Sequence, residues 1–147
     1  MRGFLRAAMV GLGLAACGAR PLAQSGDVAI VDGFAYPSMG GGASAFITLR
    51  NEGPVEDTVV SISSPRAGMV MPHVTETIGD AGRMVPVETL TVPAGGTLRM
   101  ASGGVHLMLH GVEPALAAGD SLALLVSLSR AGPIRVTVPV VGFADRQ

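Results

Sequence analysis

The chain of 147 residues contains no lysine and no tryptophan, and all ten of its basic residues are arginine. Without lysine, a Walker A phosphate loop and a Schiff-base enzyme are both excluded, because each depends on a lysine amine. With one tyrosine, four phenylalanines and a net charge of −1, the chain also lacks a base-stacking platform and a basic face. We therefore expect no nucleic-acid partner.

Cysteine is almost as scarce, since Cys17 is the sole example and lies in the first segment. No disulfide can form within the chain, and no thiolate remains for the folded domain. A blue-copper electron-transfer site, CxxC redox chemistry and a cysteine zinc site are therefore excluded. The sequence has no Gly-x-Ser-x-Gly nucleophile elbow, and the carboxylates Glu76, Asp80 and Glu88 are scattered. We expect this protein not to be an enzyme.

The first 17 residues have the pattern of an export signal. Arg2 and Arg6 precede a short apolar run that is too short to span a bilayer as a helix. The run ends in Leu-Ala-Ala-Cys, which resembles a bacterial lipoprotein signal with Cys17 as the acylated N-terminus. Three segments are therefore predicted: a lipoprotein-type signal peptide over 1–17, a flexible tether over 18–26 and a β domain over 27–147. This organisation predicts a periplasmic or cell-envelope protein that a lipid attaches to a membrane.

From residue 27 onward the hydrophobic pattern has a period of two, as in half-buried strands. Alternation is clearest over 44–50, 121–129 and 134–140, and Gly and Pro clusters separate the segments. Further strands are predicted near 57–63, 68–77, 84–92, 97–101 and 105–111. Short strands with turns at this spacing predict an all-β domain, an antiparallel Greek-key β-sandwich or barrel.

Histidine and methionine are concentrated between residues 69 and 110, which hold all three histidines and five of the eight methionines. His73, Met84, His106 and Met108 follow the spacing His-x10-Met-x21-His-x-Met. Imidazole and thioether are soft neutral ligands that suit Cu(I) better than Zn²⁺, Mg²⁺ or Ca²⁺. If 105–110 is a strand, His106 and Met108 point the same way, about 7 Å apart. The set is therefore predicted to bind Cu(I).

Three further residues of this region are left off the predicted ligand set. Met69 and Met71 share a face with His73 if 68–74 is extended, but methionine more often fills gaps in packing. His110 shares the face of His106 and Met108, two residues beyond the motif. We interpret it as a neighbour of the ligands.

This spacing resembles the metal-binding signature of the PCuAC family of periplasmic copper chaperones. The flanking sequences Val92-Pro93-Ala94-Gly95-Gly96 and Gly103-Gly104-Val105 match as well, and the similarity covers roughly residues 28–140. It implies a cupredoxin-like fold and delivery of copper for assembly of the cytochrome c oxidase copper centre. Phe46 and Val74 depart from the family, which often has tyrosine and an acidic residue there.

Two other functions remain open from the sequence. The protein could sequester copper in the envelope for tolerance, with no acceptor protein. It could instead be a β-sandwich interaction module whose methionine-rich edge binds protein rather than metal. The leading hypothesis is copper transfer to an acceptor of the respiratory oxidase assembly pathway. It requires ligands that exchange one at a time, as neutral thioethers and imidazoles do. Thioethers and imidazoles also survive outside the cytoplasm, where free thiols would be oxidised.

Overall fold

A computed structural model describes residues 20–146, which form β-strands and connecting loops without any helix. The predicted signal peptide and Cys17 lie outside the described residues. Within the described part of the chain, no helix is long and apolar enough to cross a membrane. The strands are β1 (Ala23–Ser25), β2 (Val28–Ala35), β3 (Gly42–Asn51), β4 (Asp57–Ser63), β5 (Met69–Ile78), β6 (Ala81–Pro86), β7 (Leu90–Val92), β8 (Thr97–Arg99), β9 (Val105–His110), β10 (Ser121–Leu128) and β11 (Gly132–Pro139).

The strands form two sheets. The larger sheet has seven strands in the order β1-β2-β3-β9-β5-β6, and β8 pairs with the end of β3 that β9 leaves free. The smaller sheet has four strands in the order β11-β10-β4-β7. Every pair of neighbouring strands is antiparallel. The predicted antiparallel all-β class is therefore confirmed.

Alternation along the strands explains why the two sheets face each other. In β10, Leu122, Leu124, Val126 and Leu128 are buried, while the residues between them are not. Strand β11 repeats the pattern, and β2 and β3 supply the facing side chains of the larger sheet. Each fully buried Leu, Ile or Val stabilises the fold by about 1.5–3 kcal/mol relative to an exposed one.

Strand β9 shows how this core positions the histidines. Leu107 and Leu109 are fully buried in the core, so His106, Met108 and His110 must lie on the other face of the larger sheet. If β9 slipped by one residue against its neighbours, the histidines would point into the core and the two leucines would point outward. The burial of two leucines therefore determines the face on which the histidines lie.

The boundaries differ from the sequence prediction in two places. The single strand predicted near 84–92 is two strands, because the chain leaves the larger sheet after Pro86 and enters the smaller sheet at Leu90. Hydrophobic alternation shows which residues of a strand are buried, but it does not show which sheet the strand joins. The division of 84–92 between two sheets therefore cannot be predicted from it. Residues 23–25, predicted to lie in the tether, pair with β2 as β1. Backbone bonds and the hydroxyl of Ser25, 2.6 Å from the carbonyl oxygen of Ala131, hold this strand without a hydrophobic pattern.

Asp57 is a buried carboxylate that joins β4 to the β10–β11 hairpin. It accepts hydrogen bonds from the backbone N–H groups of Thr58, Arg130 and Ala131 at 2.8–2.9 Å. Burial alone would raise the pKa of Asp57, but these three hydrogen bonds and the charge of Arg130 outweigh it. The pKa therefore lies below its ordinary value of 3.8.

Replacing Asp57 should therefore destabilise the fold in a pH-dependent way. We expect Asp57→Ala to lower the free energy of unfolding by about 2 kcal/mol at pH 7, because three N–H groups lose a charged acceptor. Because the pKa is lowered in the folded state, this stabilisation is complete above the ordinary carboxyl pKa and is lost as the pH falls through the lowered one. Urea unfolding across an acid pH series measures both effects. Asp80→Ala, at an exposed hairpin turn, is the control, and an equal loss in the two variants would contradict the assignment.

Candidate metal site

The pairing of β5 with β9 brings two histidines and two methionines directly opposite each other. His73 pairs with His106, and Met71 pairs with Met108. Residues opposite each other in an antiparallel pair have their side chains on the same face, with Cβ atoms about 4.5–5.5 Å apart. Met69 and His110 form the next pair along this face. The shared faces predicted within each strand are confirmed, and the pairing of the strands joins them into one.

Met84 reaches the same face from β6. It pairs with Thr75, which lies two residues beyond His73 on β5 and so shares its face. Met84 is 57% exposed and lies at the edge of the sheet. All four residues of the His-x10-Met-x21-His-x-Met pattern therefore lie on one face of three neighbouring strands.

His106 is the most buried member of the set, with 4% of its surface exposed. Its Nδ1 lies 3.0 Å from the carbonyl oxygen of Gly104. Because a carbonyl can only accept, Nδ1 carries the proton and Nε2 presents its lone pair. This Nε2 is buried and has no hydrogen-bond partner among the described residues. An unpaired buried polar atom costs about 1–3 kcal/mol, so this nitrogen is set up to accept something the polypeptide does not supply.

His73 is oriented in the same way, although its ring is more accessible. Its Nδ1 lies 3.3 Å from the carbonyl oxygen of Met71, which leaves Nε2 as the acceptor. The rings of His73 and His106 are stacked with centroids 6.2 Å apart. The ring of His110 lies 6.4 Å from that of His73, closer than its position outside the motif indicated.

Two contributors were missed at the sequence level, and both come from β3. The hydroxyl of Ser44 lies 3.7 Å from the sulfur of Met108 and donates to it. The buried ring of Phe46 lies 6.2 Å from that of His106 and stacks on Phe34. In the sequence, the only indication that either residue contributes to the site is that Phe46 departs from the family pattern. Ser44 gave none, because its contact depends on the register of β3 with β9.

On strands β5, β6 and β9, no charged side chain lies on the face that carries the histidines. On β5 and β6, the charged pair Glu76 and Arg83 faces the other way, because both alternate with Thr75 and Met84. No group of three or more His, Cys, Asp and Glu side chains within residues 20–146 could hold a metal ion. The donors here are instead two imidazole nitrogens and the sulfurs of Met84 and Met108. Such a neutral nitrogen and sulfur set fits a soft ion of low charge.

Comparison with known proteins identifies related chains. The family model described as "Putative lipoprotein LpqE-like" matches residues 28–140. A protein of Leifsonia xyli subsp. xyli, named "Putative lipoprotein Lxx21020", is 30% identical over 125 residues, which are 84% of this chain and 75% of that protein.

Solved structures share the fold. The copper-bound PCuAC domain from PmoF2 superposes with a TM-score of 0.69 at 16% identity, covering 81% of this chain and 96% of that domain. The Cu(I) form of DR1885 from Deinococcus radiodurans gives 0.58 at 25% identity, covering 85% and 83%. Its apo form gives 0.60 at 23% identity, covering 100% and 97%. The predicted PCuAC resemblance and cupredoxin-like fold are confirmed.

The unpaired nitrogen of His106 leads to a stability prediction for the metal-free protein. We expect His106→Leu to leave the free energy of unfolding unchanged within about 1 kcal/mol, or to raise it, because an unsatisfied buried atom is removed. Leu107→Ala, at the neighbouring core position, should cost about 2–5 kcal/mol. Chemical denaturation of both variants after treatment with a chelator provides the measurement. A loss above about 2 kcal/mol for His106→Leu would mean that Nε2 has a partner in the metal-free fold.

Proposed function

Because the chain belongs to the LpqE-like family, we propose that it is a copper carrier of the cell envelope that holds one Cu(I) ion and passes it to an acceptor protein. The buried, unpaired Nε2 of His106 is the observation that carries this proposal. It lies on a face with His73 and the thioethers of Met84 and Met108. Two of the structural relatives are described as copper-bound or Cu(I)-bound.

The four proposed ligands differ in how firmly the fold holds them. The hydrogen bond to Gly104 and the ring of Phe46 fix His106. Met108 receives a hydrogen bond from Ser44. Met84, in contrast, is exposed on an edge strand. We infer that His106 and Met108 anchor the ion and that Met84 dissociates first when the ion leaves.

Neutral ligands also determine the direction of transfer. Thiolate is a better Cu(I) ligand than thioether or imidazole, so an acceptor site that contains cysteine would draw the ion from this one. The chain has no cysteine in its β domain with which to compete. A carrier of this kind can bind copper selectively and still release it to such a partner.

Copper binding can be measured directly on the mature protein in detergent. We expect one Cu(I) per chain at this site in a competition titration with a chromophoric Cu(I) chelator under reducing, anaerobic conditions. His106→Ala should weaken binding by roughly 100-fold or more, since changes even to residues behind metal ligands cost about 10–100-fold. Met84→Leu should weaken it less, because Met84 lies at the exposed edge of the set.

Met100→Leu is the matched control for the methionine variants, because Met100 is buried in the core. It should bind Cu(I) as the parent protein does. A variant with all four ligands replaced by alanine or leucine that retains full affinity would refute the proposed ligand set.

We also propose that the protein is attached to a membrane through a lipid on Cys17, after removal of the preceding residues. The name of the family and that of the Leifsonia relative both contain the word lipoprotein. The backbone N–H of Leu22 donates a hydrogen bond to the carbonyl oxygen of Ile30, so Leu22 is held by the β domain. Leu22 is five residues after Cys17, a distance of at most about 18 Å in extended chain. The domain would therefore remain near the membrane surface.

Mass spectrometry of the mature N-terminus tests the anchor. We expect a terminal Cys17 that carries acyl chains, and a Cys17→Ser form that is released or left unprocessed. Its copper affinity should be normal after purification, because the proposed ligands lie in the β domain. A mature protein that begins beyond Ala23 without a lipid would contradict the proposal.

Delivery to the cytochrome c oxidase copper centre is the most specific part of the proposal, and it rests on the family resemblance. Deletion of the gene should lower oxidase activity when copper is scarce, and added copper should restore it. Complementation with the parent protein should also restore activity, whereas the His106→Ala protein should not. Oxidase activity across a copper series makes the measurement. Normal activity at the lowest copper, with greater sensitivity to excess copper, would favour sequestration instead.

A further inference from the structure

We propose that the same face carries a second, outer site for a soft monovalent metal ion, formed by Met69, Met71 and His110. The proposal extends the copper-carrier function, since the outer site would receive the ion and the proposed four-residue site (the inner site) would hold it. His73 lies between the two sites and would serve both.

The register places the three outer residues together. Met69 lies directly opposite His110, and Met71 is the next residue of β5 on the same face. On the other side of His110, its partner on β3 is Gly42, which has no side chain to cover the imidazole. The register thus places two thioethers and one imidazole at neighbouring positions on an open part of the sheet.

The exposure of these side chains is not explained by packing. Met69 is 55% exposed and His110 is also exposed, while Val70 between the two methionines is buried in the core. A methionine used as filler in the core would be covered on most sides. The methionine at position 69 therefore contributes little to the core, and its sulfur is available to solvent and to ions.

Three imidazole rings form a row that connects the outer site with the inner site. The centroid of His73 lies 6.2 Å from that of His106 and 6.4 Å from that of His110. His106 and His110 are four residues apart on one strand, or about 13 Å. The ring of His73 thus lies at a similar distance from both of the other rings, and its Nδ1 contacts the carbonyl oxygen of Met71, on the side of the outer site.

This arrangement allows an ion to move without being released. An ion held by Met69, Met71 and His110 can gain His73 as a ligand, then lose His110 and gain His106 and Met108 as the outer thioethers dissociate. Every ligand is neutral, so Cu(I) keeps its charge and its oxidation state throughout, and no proton is transferred. His106, being buried, cannot meet solvent ions as readily as the exposed His110 can. The outer site supplies an accessible first contact.

Titration of the mature protein in detergent with Ag(I), a soft monovalent analogue of Cu(I), tests the outer site. We expect two Ag(I) per chain, the second bound about 10–100-fold more weakly because its ligands are more exposed and have fewer supporting contacts. With ¹³C-labelled methionine methyl groups, the first equivalent should shift the NMR signals of Met84 and Met108. The second should shift those of Met69 and Met71. The buried Met100 should not respond to either.

Paired variants separate the two sites. Met69→Leu/His110→Ala should remove the second Ag(I) and keep the first, whereas His106→Ala/Met108→Leu should weaken the first and keep the Met69 and Met71 shifts. Met100→Leu, which changes a methionine buried in the core, is the control and should keep both Ag(I) ions bound. Binding of a single Ag(I) that is unchanged in Met69→Leu/His110→Ala would overturn the outer site. If the parent protein instead bound only the weaker Ag(I), with shifts at Met69 and Met71 and none at Met84 and Met108, the result would count against the proposed four-ligand set and leave the outer site standing.

Discussion

The candidate site depends on the position of β9 between β3 and β5, with two leucines buried in the core. Leu107 and Leu109 are fully covered, and their burial fixes which face of β9 points into the core. A slip of one residue would bring imidazoles into the core and expose the leucines, which would lose about 1.5–3 kcal/mol for each leucine. The register of β9 with β5 then places His106 opposite His73 and Met108 opposite Met71 on the outer face. The position of the candidate ligands on the outer face of the larger sheet is therefore a consequence of hydrophobic packing on its inner face.

The candidate ligands on this face differ in how firmly the fold holds them. His106 is buried, bonded to Gly104 and left with an unpaired Nε2, which is unfavourable for the empty fold. This preorganisation reduces what binding must spend on ordering the ligand. Met84 lies at an exposed edge, where a ligand can leave at little cost to the fold. A carrier needs both properties, because it must select its ion and then release it.

The same period of two that separates core from surface keeps the charged residues of β5, β6 and β9 off the histidine face. Glu76 and Arg83 pair across β5 and β6 on the opposite side, away from the imidazoles. An ion on the histidine face would therefore meet neutral donors alone, and a monovalent ion would be easier to desolvate there than a divalent one. This is a second reason, besides ligand softness, to favour Cu(I) over Cu(II) or Zn²⁺.

The sequence alone determined the all-β class, most strand positions and the common face of His106, Met108 and His110, because alternation is a local property. The spacing of histidine and methionine, together with the family resemblance, identified the candidate ligands. Only the tertiary structure decided that 84–92 divides between two sheets and that 23–25 forms a strand. It alone brought Ser44 to Met108 and placed the ring of His73 between two other histidines. These features depend on which strands pair and in what register, and both are set by burial summed over the whole core rather than by neighbouring residues.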